Sequence, residues 1–402
     1  MNIQAKINRD DVRNDLKEDG VLIVFSGNII KSSADAEYPF VVNRNFYHLS
    51  QINEPNLMLI ISKEKDILFI EESDKHFEKW IGKKISKEDA KEKSNVDDIR
   101  YLKDFDIKIL GKYKHIYLDL EKDQLNDYPT LAQKFKEEYN LNAIDGYNII
   151  AKSRSIKSKK EVAKVSEAIE ITKVGLNNIM KSLEPNKKEA YFEAHFDFVL
   201  KSENVIHAFD TIAASGNNAT TLHYVTNDEV ALDNELILFD LGATSDLYCA
   251  DISRTYPVNG KFSKRQKELY EMVLKANEMV IDKIKPGVTM GELNDFVVKF
   301  YEKELVRLNV IKDVEKVKDY YYHGVSHSLG LDTHDVGLDR QTPLEAGNLI
   351  TVEPGIYISE EKIGIRIEDN ILVTETGNIN LSSDIIKSVN DIEEYMQNVK
   401  EK

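Results

Sequence analysis

At 402 residues the chain exceeds what one hydrophobic core usually serves, so two domains are expected. Hydrophobic residues at 42% and charged residues at 31% exclude a disordered chain, and no apolar run approaches the roughly 20 residues needed to cross a bilayer. A net charge of −16 excludes the basic footprint that nucleic acid requires, so neither nucleic acid nor membrane is an expected partner. Cys249 is the only cysteine, which rules out an intrachain disulfide, and the opening MNIQAKINRDDVRNDLKEDG lacks the apolar stretch of a signal peptide. Both point to the cytoplasm.

The first 150 residues alternate apolar runs with charged, helically spaced stretches. GVLIVFSGN reads as a buried strand. NLMLIISKEKDILFIEES reads as two strands joined by the polar turn Lys63-Glu64-Lys65-Asp66. HIYLDL is a further strand, and TLAQKFKEEYNL has helical spacing. This is a small α/β domain with neither metal-ligand spacing nor a phosphate loop. At Ser158-Lys159-Lys160-Glu161 a capping-box pattern opens a long helix, with Val162, Val165, Ile169, Leu176 and Ile179 on its apolar face. The domain boundary is placed just before it, giving domains over 1–152 and 153–402.

The second domain carries a faint duplication. MKSLEPNKKEAYFEAHFDFVLKSEN and IDKIKPGVTMGELNDFVVKFYEKEL both read as helix, proline, helix, with Pro185 and Pro286 at equivalent places. Each leads into a strand pair bearing two acids. In ELILFDLGATSDLYCADISRTYPV, a turn centred between Ser245 and Asp246 sets Asp240 opposite Asp251. In LITVEPGIYISEEKIGIRIEDNILV, a turn at Glu360-Glu361 sets Glu353 opposite Glu368, with Pro354 marking a strand start or edge. Opposed residues of an antiparallel pair share a face, and like charges there are destabilising unless a cation lies between them. Either hairpin alone could carry its acids as solvated strand ends.

Between the two hairpins runs HGVSHSLGLDTHDVG, which holds three of the nine histidines, His323, His327 and His334. Spare histidines on a loop are an ordinary finding. Beside two acidic hairpins they point instead to a metal site, because imidazole is a frequent metal ligand and proton carrier near neutral pH. Four converging carboxylates would raise one another's pKa, and two divalent cations would cancel the charge. A carboxylate-rich set with one imidazole suits manganese above zinc, with cobalt also possible. Two such ions activate water and stabilise a developing oxyanion, which is hydrolase chemistry. Residue types alone leave His323 and His327, spaced i,i+4, open as a rival ligand pair.

The motifs LILFDLGATSDLYCADISRTYPVNGKF, HGVSHSLGLDTHDVG, TVEPGIYI and GIRIEDNILVTETGN resemble the pita-bread metallopeptidases, the family of methionine aminopeptidase, prolidase and aminopeptidase P. SGNNATTLHY is similar to the family segment bearing a substrate-site histidine, here His223. KSSADAEYPFVVNRNFYHLSQINEP resembles the amino-terminal domain of aminopeptidase P and of some prolidases, which methionine aminopeptidase lacks, and EKWIGKKIS is similar to an aminopeptidase P segment.

The resemblance implies an α/β chain with a duplicated C-terminal pita-bread fold and a smaller N-terminal α/β domain. It also implies the ligand set: Asp240 on one metal, His327 and Glu353 on the other, Asp251 and Glu368 bridging. His223 and His334 are then expected to hold the substrate, and His323 to line the proline site. Arg366 is expected to orient the acids, or else to make a surface ion pair. The implied activity is that of an Xaa-Pro aminopeptidase, in which a metal-bridging hydroxide cuts the first peptide bond of chains with proline second and Glu353 shuttles the proton. An Xaa-Pro dipeptidase, a non-catalytic binding protein and a creatinase-like amidinohydrolase are the rivals, and the last two are disfavoured because no ligand position is missing. A homodimer or homotetramer is implied. Trp80 is expected either to anchor the N-terminal domain or to reach an active site, its own or a neighbouring subunit's.

Overall fold

Every residue from Gly20 to Phe25 is apolar, and such a run is stable only as a strand covered on both faces. It forms β1 of a sheet continued by β2 (Met58–Ser62), β3 (Asp66–Ile70), β4 (Asp98–Tyr101), β5 (His115–Leu118) and β6 (Ala143–Asp145). A computed structural model describes residues 3–400 except 77, 121–129 and 338. In it the chain divides into two compact units, Met1–Arg154 and Ser155–Lys402.

The sheet of the first unit has the order β4-β3-β2-β1-β5-β6. The pairs β1–β2 and β2–β3 are antiparallel, while β1–β5, β3–β4 and β5–β6 are parallel. Asp66, expected in the turn after β2, is instead the first residue of β3 and pairs with Ile61. Around the sheet lie α1 (Ile3–Asp15), α2 (Arg44–Ser50), α3 (Glu78–Ile81), α4 (Lys87–Ser94), α5 (Leu131–Glu138) and α6 (Tyr147–Ser155). Ala132 and Phe135 of α5 pack on Val21, Ile23, Ile60 and Phe69 to form a core. On α1, the fully buried Arg9 donates to Asp66 at 2.7 Å and to the carbonyls of Leu49 and Ser94. Trp80 is 79% exposed, so the expected anchoring role in this unit is not found.

The second unit opens with α7 (Lys159–Ser182), whose Ser158–Glu161 capping box is formed as its sequence demands. Then come β7 (Lys187–Lys188), α8 (Glu189–Ser202), β8 (Ile212–Ser215), β9 (Val230–Ala231), β10 (Leu236–Leu241), β11 (Thr244–Ser245), β12 (Tyr248–Cys249) and β13 (Ile252–Pro257). The second half begins at α9 (Lys264–Ile281) and α10 (Met290–Arg307). It continues through β14 (Leu349–Val352), β15 (Gly355–Ile358), β16 (Ile363–Arg366), β17 (Asp369–Val373) and β18 (Asn378–Asn380), and closes with α11 (Val389–Lys400). Each half therefore places two helices before a three-stranded sheet, β13-β10-β8 in the first and β14-β17-β18 in the second. This is the duplication that Pro185 and Pro286 suggest.

The first acidic hairpin departs from its expected register. Asp246 and Leu247 both adopt left-handed φ, 46° and 69°, so the turn lies one residue later. Ser245 then pairs with Tyr248, and Asp240 with Ser253 instead of Asp251. Two left-handed residues make the type I′ turn whose twist matches the strands. A leucine in that region is uncommon, so residue types gave no sign of it. By the same register Asp251 faces Gly242, diagonal to Asp240 and on the same side of the hairpin. A side chain on Gly242 would overlap the Ala250 carbonyl.

The second hairpin keeps the expected register. Val352 pairs with Asp369 and Gly355 with Arg366, which leaves Glu353 and Glu368 facing each other at the break made by Pro354.

Candidate metal and peptide site

Seven stretches of the second unit converge on one cavity of about 570 Å3. All nine residues singled out from the sequence line it: His223, Asp240, Asp251, His323, His327, His334, Glu353, Arg366 and Glu368. Asp240 projects from the end of β10, and Asp251 directly precedes β13. Glu353 and Glu368 flank the Pro354 break. The histidines come from irregular loops, a common way to bring functional groups to a rigid scaffold.

Asp251, His327 and Glu368 each present a ligand atom within 4.8 Å of the others. His327 Nε2 lies 3.4 Å from Asp251 and 3.5 Å from Glu353. Its Nδ1 donates to the Ser328 carbonyl at 3.0 Å, which fixes the ring and turns Nε2 toward the carboxylates. His323 behaves differently. Its Nδ1 faces the Gly324 carbonyl at 2.8 Å and its Nε2 the Tyr357 hydroxyl at 2.8 Å, so both nitrogens are engaged and the i,i+4 ligand pair is set aside. His334 packs edge-on to His327, with ring centroids 4.3 Å apart.

Arg366 is 4% exposed, which removes the surface ion-pair alternative. It donates to Asp240 at 2.6 Å, to the Ser253 hydroxyl at 2.7 Å and to the Tyr357 oxygen at 3.0 Å. Ser253 in turn donates to Glu368 at 2.8 Å. Behind this layer Arg254, fully buried, donates to the Glu368 carbonyl at 2.6 Å and pairs with Asp369 at 2.7 Å. Asn370 holds the main chain of Asp251 from both sides. The two hairpins are thus bolted together behind their acids.

The electrostatics are strained without a counter-charge. Burial, partly offset by His327 and reinforced by Asp240, pushes Asp251 up to about 6. Burial likewise pushes Glu353 up to about 7, against the charges of His327 and Arg366. Glu368 stands well above the carboxylate range through burial and the nearby Asp251 and Glu353. Burial alone would lower His327, but contact with Asp251 and the charge of Glu353 raise it to about 9. Burial and Arg366 lower His323 to about 4, and burial with the His327 charge lowers His334. Asp240 Oδ1 and Glu368 Oε1 are buried and receive no hydrogen bond from any of the described residues. Buried acceptors of that kind are rare and costly, and divalent cations would satisfy both oxygens and the excess negative charge. The donor set, carboxylate oxygens with one imidazole nitrogen, fits such ions.

Residues 163–375 match metallopeptidase family M24, and residues 5–117 match the aminopeptidase P N-terminal domain. The chain belongs to metallopeptidase family M24. Divalent metal ions accordingly belong to its site, and its catalytic unit has the pita-bread fold preceded by the N-terminal domain. The Xaa-Pro aminopeptidase of Haemophilus influenzae is 35% identical, with 95% of this chain and 94% of that one covered. A solved Bacillus anthracis structure, provisionally described as an aminopeptidase P, is 43% identical with a TM-score of 0.95 and 98% of each chain covered. Aminopeptidase P from E. coli with the inhibitor Pro-Leu is 29% identical, with a TM-score of 0.90, 100% of this chain covered and 99% of that one.

Sequence reasoning missed Ser253 and Tyr357, which tie the M24 acids to Arg366 and His323. A signal existed, since Ser253 stands two residues beyond Asp251 and therefore on the same side of its strand. Tyr357 is 2% exposed and could not be told from an ordinary core tyrosine without its partners.

Proposed function

We propose that this metallo-exopeptidase is an Xaa-Pro aminopeptidase, removing the first residue from peptides whose second residue is proline. The observation that carries the reading is the cavity itself. Asp251, His327 and Glu368 meet within 4.8 Å, and two buried carboxylate oxygens there lack partners among the described residues. The relatives that bear this activity align with nearly the whole chain, including the N-terminal domain, which supports an aminopeptidase P-like reading.

Asp240 would hold one ion, His327 and Glu353 the other, and Asp251 and Glu368 both. Manganese is the favoured metal, with cobalt or zinc as substitutes. When bound, the ions supply Lewis acidity that makes water nucleophilic at neutral pH and polarises a peptide carbonyl. Proline nitrogen carries no amide hydrogen, so a peptidase that grips that hydrogen fails on such a bond. Here the residues act on the carbonyl and on the leaving nitrogen instead. Glu353 takes a proton from the attacking water and passes it to the departing proline nitrogen. His334 and His223 hold the scissile carbonyl region. His323, lowered by burial, presents a neutral ring to the proline site. Arg366 and Ser253 keep Asp240 and Glu368 aimed inward.

We place the protein in the cytoplasm as a homodimer or homotetramer, with the exposed Trp80 reaching toward an active site across subunits. Hydrolysis decides the reading. The manganese-loaded protein is expected to release alanine from Ala-Pro-Ala, and chelation to abolish that release. Cleavage of Ala-Pro with no action on Ala-Pro-Ala would replace the aminopeptidase reading with a dipeptidase.

A further inference from the structure

The loop bearing His223 is closed at both ends on one buried carboxylate. Glu189, the first residue of α8, is fully buried. One of its oxygens accepts from the Ser215 amide at 2.7 Å, the Ser215 hydroxyl at 2.7 Å and the Asn218 side chain at 3.0 Å. The other accepts from the Tyr224 hydroxyl at 2.8 Å and the Glu229 amide at 3.2 Å. The first set holds the chain where it leaves β8, and the second holds it where it returns. Two main-chain bonds reinforce the closure, Glu189 N–H to the Glu229 carbonyl and Ala190 N–H to the Asn227 carbonyl.

Between these ends, Leu222, His223 and Val225 line the cavity. Tyr224, set among them, is tied back to Glu189. Leu222 and Tyr224 also pack on Ile212, Ala214, Leu238 and Tyr357, and Tyr357 bonds both Arg366 and His323. A single acid with five donors is more than a helix N-terminus needs. Its bonds are distributed so that the loop cannot shift without breaking several of them.

We propose that Glu189 is a positioning residue for His223, setting where that imidazole stands against the peptide. The inference rests on the Xaa-Pro aminopeptidase reading for its kinetic consequence only. Glu189→Gln keeps the size but turns one acceptor into a donor facing donors. Measured on the full-length manganese-loaded protein with Ala-Pro-Ala, it is expected to lower kcat/KM by about 10- to 100-fold, the scale of a misplaced positioning group. Bound manganese should be unchanged. In a His223→Ala background the same substitution should cost less than about 3-fold, because residues acting through one another are not additive. Hydrogen exchange over residues 216–229 should quicken in Glu189→Gln while other segments keep their rates. Equal losses in both backgrounds, or unaltered exchange in that loop, would overturn the proposal. If Glu189→Gln does not fold, Tyr224→Phe and Ser215→Ala each remove donors to the same acid, and unaltered loop exchange in both would overturn it equally. Should the unsubstituted protein fail to cleave Ala-Pro-Ala, the functional reading falls, while the exchange measurement still decides the role of Glu189.

Discussion

Glu353 is asked to do two things, to hold a metal ion and to move a proton, and one atom's change separates them. In Glu353→Gln an amide oxygen can still face a cation, but the group no longer accepts a proton. The fold should persist, and kcat should fall by about 10²–10⁴, the usual worth of a positioned acid–base group. KM should move far less, since the loss is confined to the transition state. His327→Ala differs in kind. It removes the imidazole that lies 3.4 Å from Asp251 and 3.5 Å from Glu353, so bound metal and activity should disappear together. Steady-state kinetics with metal analysis on both variants checks the pair. Near wild-type turnover with full metal in Glu353→Gln would remove Glu353 from the proton path.

At the scale of elements, the two hairpins make a contrast. The second was readable because its turn lies where the alternation of apolar residues centres it, and Pro354 marks the break that aims both acids inward. The first was misread by one residue at the turn because Leu247 sits at a φ of 69° that branched and bulky side chains seldom adopt. That strain makes a prediction. Leu247→Gly would place Asp-Gly in a type I′ turn, the pairing such turns favour. Relief of the left-handed penalty is expected to stabilise the protein by about 1 kcal/mol, read as a rise in Tm with metal content and kcat unchanged. A fall in Tm would mean that packing around Leu247 outweighs its backbone strain.

For the whole molecule, the acids proposed to bind metal are a liability without it. Asp251 and Glu353, raised to about 6 and about 7, cost the metal-free fold nothing below their ordinary values, progressively more as pH rises toward the raised ones, and a constant amount above them. Glu368 acts in the same direction. His327, raised to about 9, contributes stability that is fully present below its ordinary value and lost as pH rises through 9. Together they weaken the metal-free protein as pH rises from 5.5 to 9, Asp251 and Glu353 in the lower part of that range and His327 in the upper part. His323, lowered by burial and Arg366 to about 4, acts in the opposite direction, but only between that value and its ordinary one near 6.5. The gap in Tm between manganese-loaded and chelated protein should accordingly widen from pH 5.5 to pH 8.5. Metal affinity adds to the trend, because ligands must lose protons to bind. Thermal unfolding at four or five pH values measures it, and a gap that stays constant would mean that the acids carry no such penalty.

The sequence by itself determined what depends on local chemistry. Apolar runs became covered strands, Ser158 and Glu161 capped the long helix, and residue types at particular spacings marked the two acids of each hairpin and the three clustered histidines. Tertiary structure decided what depends on residues far apart in the chain. It placed Asp240 opposite Ser253, gave both nitrogens of His323 to neighbours and buried Arg366 between Asp240, Ser253 and Tyr357. It also gathered five donors around Glu189, on α8, to close a loop that begins more than two dozen residues downstream. No local pattern announces such partners, because a buried carboxylate and a solvated one look alike until the fold surrounds one of them with donors and excludes water from it.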